Sequence, residues 1–137
     1  MRVLAVAAVL AVSAATYTVG QVQRSFRAQT GVRLVNLGSA TTRDVTTLAP
    51  TPAGTARFGS FELYVLRPAT ARRTRRAILT GAKRDSRGIY WTRDQQGGWA
   101  ATTVFGKNLV CGWFPRGGKK RVNAQWKRLQ TILRRIR

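Results

Sequence analysis

At 137 residues the chain has room for one domain and its appendages, and its 25 lysines and arginines face only Asp44, Glu62, Asp85 and Asp94, a formal charge of +21. That imbalance opposes a compact monomer through self-repulsion and favours a polyanionic partner, whether nucleic acid, an anionic lipid surface or an acidic protein face. With no histidine, one cysteine and four scattered carboxylates, the usual general bases, metal cages and nucleophile triads are almost all excluded, so no catalytic residue, metal or cofactor is expected.

The most apolar run comes first. After Arg2, residues 3–19 read VLAVAAVLAVSAATYTV, seventeen positions without a charge, the lower limit for crossing a hydrocarbon core of about 30 Å. Three readings compete. A cleaved secretory signal would show this run and a small-residue site, for which Val12-Ser13-Ala14 or Ser13-Ala14-Ala15 would serve. An organelle presequence would be arginine-rich and free of acids, as the first 43 residues are, with Arg2, Arg24, Arg27, Arg33 and Arg43. The third, which we adopt as the expectation, is an uncleaved single-pass anchor contacting the lipid bilayer through residues 3–19. Arg24, Arg27 and Arg33 follow the span while Arg2 alone precedes it, so the C-terminal bulk is expected on the cytoplasmic side of the membrane. A short buried or interfacial helix is the alternative.

Gln21–Ser60 mixes hydroxyl residues with Gly31, Gly38, Gly54, Gly59, Pro50 and Pro52. Arg33–Leu37, RLVNL, reads as one short strand and the rest as an extended arm. So long a loosely structured stretch is unusual inside a compact domain, and it is expected to order against neighbouring protein subunits of a large assembly.

A basic module is expected over residues 61–137. Phe61, Leu63 and Val65 alternate with Glu62, Tyr64 and Leu66 in a half-buried strand. Pro68 suits a first helical turn, and Thr70–Ala82 carries Ala71, Ile78 and Leu79 on one side, with Arg72, Arg73, Arg75 and Arg76 around the rest. Gly88–Phe114 holds three of the four tryptophans and reads as a meander of Ile89–Arg93, Trp99–Phe105 and Leu109–Phe114. Gln95-Gln96-Gly97-Gly98 and Gly106-Lys107-Asn108 supply its turns, and Pro115 ends it. Lys119–Arg137 has the clearest period, with Val122, Trp126, Leu129, Ile132, Leu133 and Ile136 in one apolar stripe. That stripe is expected to cover the sheet, although a basic amphipathic helix lying on a membrane has the same signature. The fold class that results is α+β: a small four-stranded, mostly antiparallel sheet in the order β-α-β-β-β-α with two basic helices on one face, preceded by an apolar helix and an extended arm.

The one chemical constellation is basic residues interleaved with aromatics. Arg72, Arg73, Arg75 and Arg76 form one positive ridge, and Lys119, Lys120, Arg121, Lys127, Arg128, Arg134 and Arg135 a second. Contact with phosphates or another polyanion needs nothing more specific than that. Tyr90, Trp91, Trp99 and Trp113 would offer base-stacking surfaces if exposed, or the core of a small sheet if not. Cys111, at mid-strand, reads as a buried inert thiol. GWFPRGGKKR lacks the spacing of a phosphate loop, and Asp85 and Asp94 stand too far apart along a strand to share a metal. The expected function is therefore a non-enzymatic structural subunit of a large assembly, membrane-anchored, whose basic module bridges to a polyanionic neighbour. A minor capsid protein of a membrane-containing virion is one setting for it. The alternatives are a nucleic-acid-binding module, such as an organellar ribosomal protein with a targeting segment, and a secreted cationic membrane-active protein.

Overall fold

Thr18 and Gln21 start the first helix by reciprocal capping. The Thr18 hydroxyl accepts from Gln21 N (3.1 Å), and the Gln21 side chain accepts from Thr18 N (3.3 Å). The computed structural model describes residues 15–39, 44–116, 119 and 122–137. Helix α1 runs Val19–Thr30, buries Val22 and Phe26, and ends at Gly31 in the left-handed conformation. Strands β1 (Leu34–Gly38) and β2 (Val45–Pro50) follow, then helix α2 (Pro52–Phe58), which Pro52 begins and Gly59 ends at φ +78°.

Strand β3 (Phe61–Leu66) leads through a 3-10 turn at Pro68–Thr70 into helix α3 (Ala71–Ile78). The remaining strands are β4 (Lys83–Arg84), β5 (Tyr90–Arg93), β6 (Trp99–Phe105) and β7 (Leu109–Trp113). Helix α4 (Ala124–Arg134) begins at Asn123, whose side chain accepts from Trp126 N at 2.9 Å.

The sheet has seven strands in the order β1-β2-β3-β7-β6-β5-β4, with every neighbouring pair antiparallel. It consists of two meanders joined where β3 lies against β7, with Phe61 opposite Trp113 and Leu63 opposite Cys111. On one face, Leu63, Cys111 and Trp113 meet Phe26, Phe58, Trp126, Leu129 and Leu133 in the main core, beneath α1, α2 and α4. Trp113 stacks on Trp126 (centroids 5.1 Å apart), and Phe26 meets Phe58 edge to face. On the other face, Leu66 and Val110 pack with Ala71 and Ile78 of α3.

The class is α+β, but three parts of the sequence reading are corrected. The sheet has seven strands rather than four, because residues 21–60 are not an extended arm: they supply α1, β1, β2 and α2, and β2 pairs with β3 from Val45 opposite Leu66 to Leu48 opposite Leu63. The two basic helices lie on opposite faces rather than one, because β7 is buried along its whole length and carries apolar side chains on both sides.

The single-pass anchor is the third correction. Among the described residues no helix is long and apolar enough to cross a membrane. Thr18 is extended (φ −98°, ψ 158°), and the Ala15 carbonyl accepts from Lys107 N at 2.8 Å. The end of the expected span, residues 15–19, is thus held against the β6–β7 turn and the start of α1. The rest of the expected span, up to residue 14, lies outside the described residues.

Candidate functional site

Helix α3 exists because Ala71 and Ile78 give it a narrow apolar edge toward the sheet; the other sides are left to arginine. Arg72, Arg73 and Arg76 are exposed, and Arg75 is half-buried with its guanidinium donating to the Lys107 carbonyl (3.2 Å). Arg73 stands 3.9 Å from the Asp44 carboxylate with most of its side chain in water, a geometry of little energetic weight.

Helix α4 uses Trp126, Leu129 and Leu133 to grip the sheet and turns Lys127, Arg128 and Arg134 to solvent, with Arg135 just past its end. Lys119 is exposed with its ammonium 4.2 Å from the Trp99 ring centroid. Lys120 and Arg121 lie outside the described residues. The two predicted ridges are therefore not brought together; they occupy opposite faces of the sheet.

The layer around α4 is more basic than its own sequence indicates. Arg24 and Arg27 on α1 and Arg57 on α2 are exposed beside it. Arg57 donates to the Thr30 carbonyl (2.6 Å), and the Arg57 and Arg128 guanidiniums both lie over the Phe58 ring, 4.9 and 5.5 Å from its centroid. A cleft of about 700 Å³ between α4 and the sheet gathers Arg87, Lys127 and Arg134 beside Trp126 and Gln130. Arg24 and Arg27, which the sequence presents only as charges following the apolar run, and Arg57, inside the expected arm, are not part of either predicted ridge. The signal that would have found α1 is the Thr18-Val19-Gly20-Gln21 capping-box spacing. Among the described residues each α-helix carries arginine in its last turn and no acid in its first, so the cations complement the macrodipoles at their C-terminal ends.

The four aromatics do not form a stacking platform. Trp91 and Trp113 are 3% and 2% exposed, within the core beneath the three helices. Trp99 is half-buried and carries Arg93 as well as Lys119 against its ring, each at 4.2 Å. Tyr90 shares the other sheet face with Thr102, which it opposes in register, and Arg84 stands 6.0 Å from its ring.

The carboxylates are engaged in local structure. Asp94 accepts from Gln96 N and Gly98 N in the β5–β6 turn, and Glu62 accepts from the Tyr64 hydroxyl at 2.8 Å. Burial, then that bond and the Glu62 charge, push the Tyr64 hydroxyl's pKa well up. Cys111 is fully buried and its thiol is pushed up by burial. Among the described residues, no three of His, Cys, Asp and Glu stand close enough to hold a metal ion.

Asp85 ties the turn before β5 together, accepting from Arg87 N, Ile89 N, the Arg87 guanidinium and Trp91 Nε1 (2.9 Å). Burial acts to raise its carboxyl, but the bonds from Trp91, Ile89 and Arg87 outweigh that and hold it at about 2, against an ordinary 3.8. A carboxyl depressed in the folded state stabilises above its unfolded value and loses that stabilisation as pH falls through the folded one. Wild-type protein is therefore expected to lose melting temperature between about pH 4 and pH 2 more steeply than Asp85→Asn, which is less stable at pH 7. Parallel melting profiles for the two across that range would refute this.

Comparison with known protein families, with curated proteins and with solved structures finds no match.

Proposed function

We propose that this protein is a non-enzymatic structural subunit that bridges polyanionic segments, holding one against each of its two basic faces. Support comes not from an arm, since residues 21–60 belong to the sheet, but from where the cations lie. Arg72, Arg73, Arg75 and Arg76 project from α3 on one face, while Arg24, Arg27, Arg57, Lys127, Arg128, Arg134 and Arg135 project from the opposite layer. Among the described residues only two ion pairs form, Arg73 with Asp44 and Arg87 with Asp85, so most of the +21 charge finds no counter-charge within the fold. One straight polyanion meets one of these faces at a time; two polyanions satisfy both. The buried Trp91 and Trp113 speak for phosphate or carboxylate contact rather than base readout.

The test uses the full chain and mixed-sequence duplex nucleic acid across a salt series. Log affinity is expected to fall steeply with log salt, by about 0.9 per neutralised phosphate, and the duplexes should crosslink into multi-duplex complexes. Changing Arg72, Arg73, Arg75 and Arg76 together to Gln should reduce the slope by up to about 3.6 and leave discrete complexes that no longer crosslink. A slope near zero, or crosslinking that survives the fourfold change, would overturn the reading.

A further inference from the structure

The sheet has two edges, and only one of them is guarded. At the β4 edge the strand is two residues long and both are cationic, Lys83 and Arg84, the features by which a sheet discourages further pairing. The β1 edge reads Leu-Val-Asn-Leu-Gly without a charge. Among the described residues, the exposed large apolar side chains are Val35, 37% exposed, and Leu37, 57% exposed, and both belong to this strand.

The main-chain groups at that edge follow from the register. Arg33 O accepts from Thr51 N, and Val35 opposes Ala49. By the alternation of antiparallel pairing, Arg33 and Val35 turn their peptide groups toward β2, while Leu34 and Asn36 turn theirs outward. The Leu34 carbonyl accepts from the Gln23 side chain (3.1 Å), a contact a strand can replace. The amides of Leu34 and Asn36 and the Asn36 carbonyl face away from the sheet and, among the described residues, no strand lies beyond them. A bulge between Asn36 and Gly38 limits the usable edge to its first residues.

The two sides of this edge differ in chemistry. Leu34 points into the core under α1, the helix that carries Arg24 and Arg27, and both arginines line a cleft of about 300 Å³ along the strand with Arg33, Leu34, Val35 and Asn36. Val35, on the other side, is apolar and open. A strand added beside β1 would alternate its side chains between these two environments.

We infer that the β1 edge binds, by strand addition, an extended segment of a partner protein in which apolar and acidic side chains alternate. The acids meet Arg24 and Arg27; the apolar residues cover Val35. A second copy of this chain does not fit, because isologous pairing of two β1 edges would set Arg24, Arg27 and Arg33 against their own equivalents. The inference shares Arg24 and Arg27 with the bridging reading and adds the outward main chain of β1, which that reading does not use, so a change confined to β1 separates the two.

The experiment titrates full-length protein with a labelled six-residue peptide of alternating valine and glutamate, capped at both ends, and follows anisotropy. One-to-one saturation is expected, and the same peptide with lysine for glutamate should bind at least tenfold more weakly. Asn36→Pro removes one outward amide at a position an edge strand tolerates, and should reduce peptide binding at least tenfold while duplex binding persists. Should Asn36→Pro fail to fold, Arg24→Glu with Arg27→Glu should invert the preference to the lysine peptide. The fourfold arginine change on α3 should leave peptide binding intact. The inference is overturned if the two peptides bind alike, if Asn36→Pro binds as wild type does, or if sedimentation shows β1-dependent dimers instead.

Discussion

Replacing Trp126 by alanine is expected to lower the unfolding free energy by about 3 to 5 kcal/mol, the range for emptying the space of a buried tryptophan. Trp126 is 1% exposed and lies in the first turn of α4, stacked on Trp113, which opposes Phe61 across the β3–β7 junction. Removing its ring takes the partner off Trp113 and leaves a void where the two meanders join. Small domains have a total stability of about 5 to 15 kcal/mol, so the variant should be close to unfolding at 37 °C. Urea titration followed by circular dichroism measures the change without relying on tryptophan emission. Val122→Ala, at a half-buried position beside the same stripe, provides the comparison and should fall well short of it. A Trp126→Ala loss under about 1 kcal/mol would mean that α4 is not what closes the main core.

The legibility of this chain followed the size of its apolar groups. The stripe from Val122 to Ile136 repeats large side chains at helical spacing, and helix α4 lies where that period runs. Strands β5 to β7 combine aromatic and β-branched residues with glycine turns, and they too stand out in the sequence. The segments that form α1, β1, β2 and α2 are the same kinds of element with far less apolar material. Helix α1 buries only Val22 and Phe26 within its span, and β2 interrupts its apolar residues with Thr46 and Thr47.

Neither segment closes a core by itself. Each is fixed by partners distant in sequence, as Leu48 is by Leu63 across the β2–β3 pair, and local pattern does not report such pairing. The second helical face had a readable sign: Leu109-Val110-Cys111-Gly112-Trp113 shows no polar alternation, the pattern of a strand buried on both sides. For the candidate surfaces, the types and positions of the arginines were legible, but their division between two faces depended on the sheet order.

Asn108→Ala is expected to cost about 2 to 4 kcal/mol, although a Gly-Lys-Asn turn gives no reason to expect a buried residue. Asn108 is 0% exposed. Its Nδ2 donates to the carbonyls of Tyr17 (2.7 Å) and Leu66 (2.9 Å), and its Oδ1 accepts from Tyr17 N (2.7 Å). One side chain thus satisfies three main-chain groups on two distant segments. Alanine leaves all three without that partner, at about 1 to 3 kcal/mol for each that water cannot reach. The neighbouring backbone is shaped to the same contact: Lys107 N donates to the Ala15 carbonyl, and a Cβ on Gly106, at φ +55°, would collide with that carbonyl. Loss of Asn108 should therefore loosen the segment before α1 first. Hydrogen exchange at Tyr17 should accelerate before that at Leu63 in the central strand, and chemical denaturation should give the total loss. Asn108→Asp separates the two halves of the contact: its carboxylate can still accept from Tyr17 N but faces two carbonyls with no proton to give, so it should be at least as destabilising as alanine at pH 7. If Asn108→Ala stays within about 0.5 kcal/mol of wild type, or if Asn108→Asp is the milder change, the Tyr17 segment is not held by this side chain, and the contact that displaces the expected membrane span from residues 15–19 loses its anchor.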